Sequence, residues 1–280
     1  MALSISNAFV TLFDSEVKQA YQATRKLGGL VREKSGVVGS TVKFPKLGKG
    51  SASVRTPQTD VTPLNVTYSQ VTATIVDYIA AEYSDIFHQQ KVNFQERSEL
   101  VQVVGNAIGR RMDQVLLDAL TAAGSPGTVA NSIGGSNTDL NVAKMRESKR
   151  LLDKNNVPSG DRCMLIHANS LEALLGETQV TSADYSAVKS LVNGEVDHFL
   201  GFKIITMGDM DEGGLAIDGS NDRTIFAFHK SAIGMGMGMN QKSSVDYIPE
   251  KTSFLVASMF AAGAIAIEDA GIVKLTCRES

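Results

Sequence analysis

The sequence predicts an α+β protein, and three observations lead there. One helical pattern of unusual length runs from Phe94 to Ala123, β-branched and apolar runs dominate residues 37–76 and 224–276, and helix and strand patterns alternate between them. A chain of 280 residues has room for one large domain or two small ones. With 43% hydrophobic and 20% charged residues, wholesale disorder is excluded. The 27 basic and 30 acidic residues give a formal net charge of -3, which argues against a dedicated nucleic-acid binder, since that class needs a clustered basic excess.

The elements follow in order. Ile5, Phe9, Leu12, Phe13, Val17, Ala20 and Tyr21 recur at helical spacing before Gly28-Gly29, the pattern of an amphipathic helix or partly extended arm. Ser40–Phe44 then reads as a strand, Pro45–Gly50 as turn chemistry and Ser51–Arg55 as a returning strand, together a hairpin. Val42, Phe44, Leu47 and Val54 are too few apolar residues to hold an isolated two-stranded ribbon, so the hairpin must lie on something. Leu64–Tyr68 and Val71–Val76 read as one long strand.

Asn93 with Glu96 has the form of a capping box, and Leu100, Val101, Val104, Ile108, Met112, Val115, Leu116 and Ala119 follow at spacings of three and four. Gly124-Ser-Pro126 ends this helix, whose length would be about 45 Å, a spine for an elongated subunit. Beyond a polar loop over 128–137, a helix over 139–153, a strand over Cys163–His167, a short helix over 169–175 and a strand over Phe202–Thr206 suggest a compact α/β lobe. The remainder reads as strands over 224–228, 233–239, 244–248, 252–267 and 271–276.

Charge is distributed unevenly. Residues 31–60 carry Arg32, Lys34, Lys43, Lys46, Lys49 and Arg55 against Glu33 and Asp60, which predicts an acidic partner surface for the ribbon. Residues 207–222, with Asp209, Asp211, Glu212, Asp218 and Asp222 and no Lys or Arg, are one candidate for it.

Signatures of catalysis are weak. Gly234-Met-Gly-Met-Gly-Met239 lacks both the G-x-G-x-x-G spacing and a following Lys-Ser/Thr, and reads instead as a strand whose glycines admit another backbone and whose methionines fill an irregular gap. His88, His167, His198 and His229 fall at no metal-ligand spacing, and Cys163 and Cys277 form no C-x-x-C pair. Asp209-Met-Asp211-Glu212 lacks the regular oxygen spacing of a calcium loop. No catalytic, cofactor-binding or metal residue is therefore expected. The start has no basic stretch before its apolar residues, and the longest nearly apolar run, 254–267, is short of the roughly 20 residues that cross a bilayer, so neither secretion nor membrane contact is expected.

An N-terminal arm, a basic extended ribbon, a long strand, a spine helix, an inserted α/β lobe and closing strands, in this order, resemble the major capsid proteins of tailed bacteriophages with the Hong Kong 97-like fold. The stretch from Val245 through Lys274-Leu275 is similar to the closing strands of short-tailed, podovirus-like members. The resemblance implies an N-arm over 1–36, an extended loop (E-loop) over 37–75, a peripheral domain built from 76–130 and 224–280, and an axial domain over 131–223. It implies a structural virion protein, assembled in the bacterial cytoplasm, that joins copies of itself as hexamers and pentamers of an icosahedral lattice around packaged double-stranded DNA. A separate scaffolding protein, a portal protein and a decoration or cement protein are the implied partners, with no cofactor and no membrane. The interface candidates are Arg32, Lys43, Lys46, Lys49 and Arg55 on the ribbon and Asp209, Asp211 and Glu212 on a neighbour. An encapsulin-like compartment shell and a small cytoplasmic enzyme built on the 131–223 lobe are the alternatives.

Overall fold

The computed structural model describes residues 24–61, 63–89, 96–177, 198–209 and 212–279. The helical pattern over 3–23 and the Asn93 cap lie outside these residues. In chain order the elements are β1 (Arg32–Lys34), β2 (Thr41–Leu47), β3 (Tyr68–Thr74), β4 (Val76–Asp85), α1 (Ile86–Gln89), α2 (Glu96–Thr121), β5 (Gly127–Val129), α3 (Val142–Lys154), β6 (Arg162–His167), α4 (Ala168–Leu175), β7 (His198–Phe199), β8 (Phe202–Met207), β9 (Asp222–His229), β10 (Ile233–Ile248), β11 (Ser253–Ala266) and β12 (Ile272–Arg278).

α2 is the spine that the sequence predicts. Its 26 residues span about 39 Å, with Glu96 and Glu99 in the first turn, where the helix dipole favours negative charge. Val104, Ile108, Met112, Val115, Leu116, Ala119 and Leu120 are buried along one stripe. That stripe packs on a four-stranded sheet of order β1-β10-β11-β4. Tyr78 of β4 stacks on Phe260 of β11 at 5.0 Å, and the Arg111 and Arg97 guanidinium groups of α2 sit over Tyr78 and Phe254 at 4.7 and 4.4 Å.

The second layer is a six-stranded sheet of order β5-β12-β9-β6-β8-β7, with β6 and β8 parallel. β6 is buried at every position, the mark of a strand covered on both faces. α3 begins at Asn141, whose side chain accepts from the Lys144 N–H at 2.8 Å. A single core runs from α2 through β10 and β11 into this sheet, with Leu116, Leu120, Met145, Leu165, Phe228, Ile233, Met235, Phe260 and Leu275 all shielded from solvent.

Four details differ from the sequence reading. The partner of β2 is β3, in the register Val42↔Ala73 and Phe44↔Val71, and Ser51–Arg55 forms no strand. Only 68–74 offers an alternation, Val71 and Ala73, that matches the buried Val42 and Phe44. Pro45 lies inside β2, tolerated because each strand of a two-stranded ribbon has a free edge. The long strand expected over 64–76 breaks at Ile75, whose N–H donates to the Ser40 carbonyl at 2.8 Å, and the chain restarts as β4, which the pattern missed because half of its residues face solvent. Finally, 233–239 and 244–248 are one strand, β10, with register shifts at Met237/Met239 and Met239/Lys242.

The ribbon β2–β3 lies flat across β10 and β11, and glycine makes this possible. A Cβ at Gly234 would stand 2.7 Å from the Phe44 ring, one at Gly236 2.3 Å from Val42, and one at Gly263 only 1.9 Å from the Thr74 carbonyl oxygen. The Gly/Met alternation thus divides its labour: Gly234 and Gly236 face the ribbon, and Met235 is fully buried in the main core. Gly263→Ala should force the ribbon off the sheet and cost about 1–3 kcal/mol in a denaturant titration. Gly238→Ala, whose added methyl would meet Ile75 at an ordinary 3.5 Å, should change stability far less.

Candidate functional site: an assembly interface

Two kinds of surface could carry function, a catalytic pocket or a contact face. A recess of about 450 Å³ lies between Leu30, Arg162, Cys163, His198, Lys203 and Lys230. Its one thiol, Cys163, is buried, and burial pushes its pKa up, the reverse of what a nucleophile needs. Burial likewise pushes the Cys277 thiol up to about 12. Among the described residues, no group of three His, Cys, Asp or Glu side chains is placed to hold a metal ion. No described helix is long and apolar enough to cross a membrane.

The contact surface is more strongly marked. From the last residue of β2 to the first of β3 the ribbon leaves Leu47, Val54, Val61, Leu64 and Tyr68 exposed, Val54 at 97%. Its cations divide into two groups. Arg32, on β1, reaches over the Phe44 ring at 6.0 Å, and Lys46 pairs with Glu268 at 2.6 Å, so both hold the ribbon to its own chain. Lys43 and Arg55 are exposed, and Lys49 lies in a shallow cleft beside Asn155–Pro158 and Glu268.

The acidic candidates sit elsewhere. Glu212 pairs with Arg111 of α2 at 3.1 Å. Asp209 accepts from Arg223 Nη2 at 2.7 Å and lies 3.4 Å from His167 Nε2. Asp211 falls outside the described residues. The structure therefore brings Asp209 and Glu212 to cations of their own chain and places none of the five ribbon cations against them.

Two polar anchors were not singled out from the sequence. Asp113 is buried in α2 and accepts the N–H groups of Lys26 and Leu27 at 2.7 and 3.2 Å, fixing the incoming chain across the helix. One turn earlier Gly109 allows that crossing, for a Cβ there would stand 3.3 Å from the Arg25 nitrogen. Burial raises the Asp113 pKa, against the pull of the two backbone hydrogen bonds. A carboxylate one place from Met112, with a glycine four residues before it, is the signal that could have found this crossing.

The second anchor is Arg223 on β9. Buried, it donates to Glu279 and Asp209 and to the Leu215 carbonyl, gathering these three residues around one guanidinium. Next to it Arg278 grips Asp222 through two hydrogen bonds of 2.6 and 3.1 Å. Burial pushes the Glu279 pKa up, but the Arg223 hydrogen bond and charge outweigh it and the net shift is downward. Arg278 lowers Asp222 directly.

Among the described residues, no cluster of metal-ligating side chains and no activated thiol is assembled. What the geometry builds is a two-layered body with Lys26 and Leu27 tied to α2 and a basic ribbon laid across one sheet. A model of a family described as phage capsid protein matches residues 5–279. The chain belongs to the phage capsid protein family.

Solved structures agree on the fold. The head structure of Helicobacter pylori bacteriophage KHP40 superposes with a TM-score of 0.80 at 11% identity, covering 99% of this chain and 98% of that one. The capsid of cyanophage P-SCSP1u gives 0.77 at 18% identity, over 100% and 96%. Mycobacterium phage Che8 gives 0.72 at 17% identity, over 97% and 98%. None of the curated proteins matches the chain. The fold is the Hong Kong 97-like capsid fold, and the protein is a structural, non-enzymatic component of the virion capsid that assembles with copies of itself into a lattice.

The carboxylate anchors make stability pH-dependent. Asp222 and Glu279 have folded pKa values below their unfolded ones, so their contribution is complete above the unfolded carboxylate range near ~4 and is lost as pH falls through the folded values. Asp113, shifted upward, has the opposite sign and offsets part of the slope. The Tm of the subunit should decline as pH is lowered below about 4. Glu279→Gln should lower the Tm at neutral pH and make the acid decline shallower.

Proposed function

We propose that this capsid protein forms a closed icosahedral shell of hexamers and pentamers around double-stranded phage DNA. Assembly would occur in the host cytoplasm with a separate scaffolding protein, around a portal, and a decoration or cement protein could bind the finished surface. The observation that carries the reading is the family match over nearly the whole chain. A compartment shell for enzyme cargo has no comparable support.

In this reading β2–β3 with the loop to residue 67 is the E-loop, and α2 with the four-stranded sheet is the peripheral domain. The axial domain is the α/β lobe over 131–223 together with 224–229 and 272–278, because β9 and β12 are hydrogen-bonded into the six-stranded sheet. Lys43, Lys49 and Arg55, which have no ion pair among the described residues, would meet carboxylates of a neighbour. Arg32 and Lys46 would brace the ribbon from its own side, and Asp209 and Glu212, engaged within their own chain, would contribute less.

Electron microscopy and sedimentation velocity of the protein, alone and co-expressed with the scaffolding protein, should show closed particles of uniform size. A stable monomer under both conditions would overturn the reading. Lys43→Glu, Lys49→Glu and Arg55→Glu in one chain should cut particle yield several-fold with the subunit fold and Tm nearly unchanged. Exposed charges contribute about 0–1 kcal/mol each within a subunit, but their effect at a contact is repeated by symmetry throughout a shell. Normal particle yield would refute the cationic contact.

A further inference from the structure

Ser51–Arg55 has the sequence of a strand, Ser-Ala-Ser-Val-Arg, with Ala52 and Val54 on one side and Ser51, Ser53 and Arg55 on the other when extended. Among the described residues it pairs with nothing, because β2 takes β3 as its partner. An unpaired edge exists in the same molecule. β4 is the outermost strand of its sheet, paired with β11 from Val76 to Asp85 without a register shift and with nothing on its other side among the described residues.

Natural sheets protect such edges with charged side chains, proline, a bulge or a very short strand, and a charge of one sign repels only partners of that sign. β4 is ten residues long with no proline and no bulge, and its charges, Asp77, Glu82 and Asp85, are all acidic, so a cationic strand is the partner it leaves open. Ile79 and Tyr83 stand 66% and 41% exposed along it. The unpaired segment is flanked by Lys49 and ends in Arg55, so charge and backbone are complementary at once. No ion pair among the described residues involves Asp77, Glu82, Lys49 or Arg55.

The two are not paired within the chain. Lys46 is tied to Glu268, beyond the far end of β11, whereas β4 pairs with the stretch from Ala262 back to Ser253. The loop is thus directed away from its own β4.

We infer that the outer edge of β4 receives Ser51–Arg55 of a second copy as an additional strand, so that the strand pattern written in 51–55 is satisfied only between subunits. The inference rests on the shell reading and specifies its contact. Backbone hydrogen bonds would supply the register, Val54 would cover exposed apolar side chains of β4, and Arg55 would approach its carboxylates.

Hydrogen exchange tests this directly. The alternate β4 amides that point away from β11 should exchange at least ten-fold more slowly in assembled shells than in unassembled subunits. Of two successive amides in an added strand only one faces the edge, so Ser53→Pro and Val54→Pro are made in turn, with Ser53→Ala and Val54→Ala beside them. One proline variant should remain folded by circular dichroism, lose most particle yield and lose the protection of β4, and both alanine variants should assemble. Shells in which β4 exchanges as in free subunits, or in which both proline variants assemble and protect β4 as the parent does, would overturn this inference alone. Failure of the parent chain to form shells would overturn it together with the shell reading.

Discussion

One packing supports the rest of the subunit, the beam made by the α2 stripe on β10, β11 and β4. Side chains such as Leu116 and Leu120, fully removed from water, each contribute about 1.5–3 kcal/mol. Exposed ion pairs such as Arg150–Glu147 contribute far less, because solvent screens them. Shape is therefore set by the apolar stripe, and the charges are left to decide what the shape touches. Because β10 and β11 carry Ile233, Met235, Phe260 and Ala262 into the same core that holds β6, β9 and β12, the two sheets are coupled by packing and not merely by a linker.

The ribbon depends on that beam. Val42, Phe44 and Ala73 form a buried cluster of their own, with Val37, Ile265 and Ile267 packed around it, which is too small to hold a hairpin away from the body. It holds because the face beneath has been cleared of side chains at Gly234, Gly236 and Gly263, so that two backbones approach closely. Glycine in a strand costs stability through the entropy of the unfolded chain, about 0.5–1 kcal/mol each, and this cost is offset only if another backbone uses the space.

This logic explains what could and could not be read from residues alone. The spine was legible because Val104, Ile108, Met112, Leu116 and Ala119 repeat a helical period that no strand could satisfy. The Gly/Met run was legible as a place of close approach, because its spacing fits no phosphate loop. β4 was not legible: Asp77, Glu82 and Tyr83 face water, and a half-exposed strand at a sheet edge lacks the alternation by which strands are recognised. Ser51–Arg55 misled for the converse reason, since its local pattern is that of a strand but the apolar matches to Val42 and Phe44 lie further on, at Val71 and Ala73. The polar anchors escaped because they depend on distant partners: Asp113 on the N–H groups of Lys26 and Leu27, Arg223 on Glu279.

These anchors and the ribbon cations are opposite uses of charge. Arg223 is 3% exposed, and its removal would strand Glu279 in a poorly hydrated site, so that cluster specifies one internal arrangement. Lys43 and Arg55 are hydrated in the single chain and lose little by staying so. A lattice that must assemble without trapping errors benefits from contacts of the second kind, because each is weak enough to break when misplaced and gains its strength from repetition around a closed shell. The molecule keeps its strong, desolvated ion pairs inside the body, where the arrangement is fixed once at folding. Its weak, solvated charges lie on the ribbon, where contacts must be tried and released many times before the shell closes.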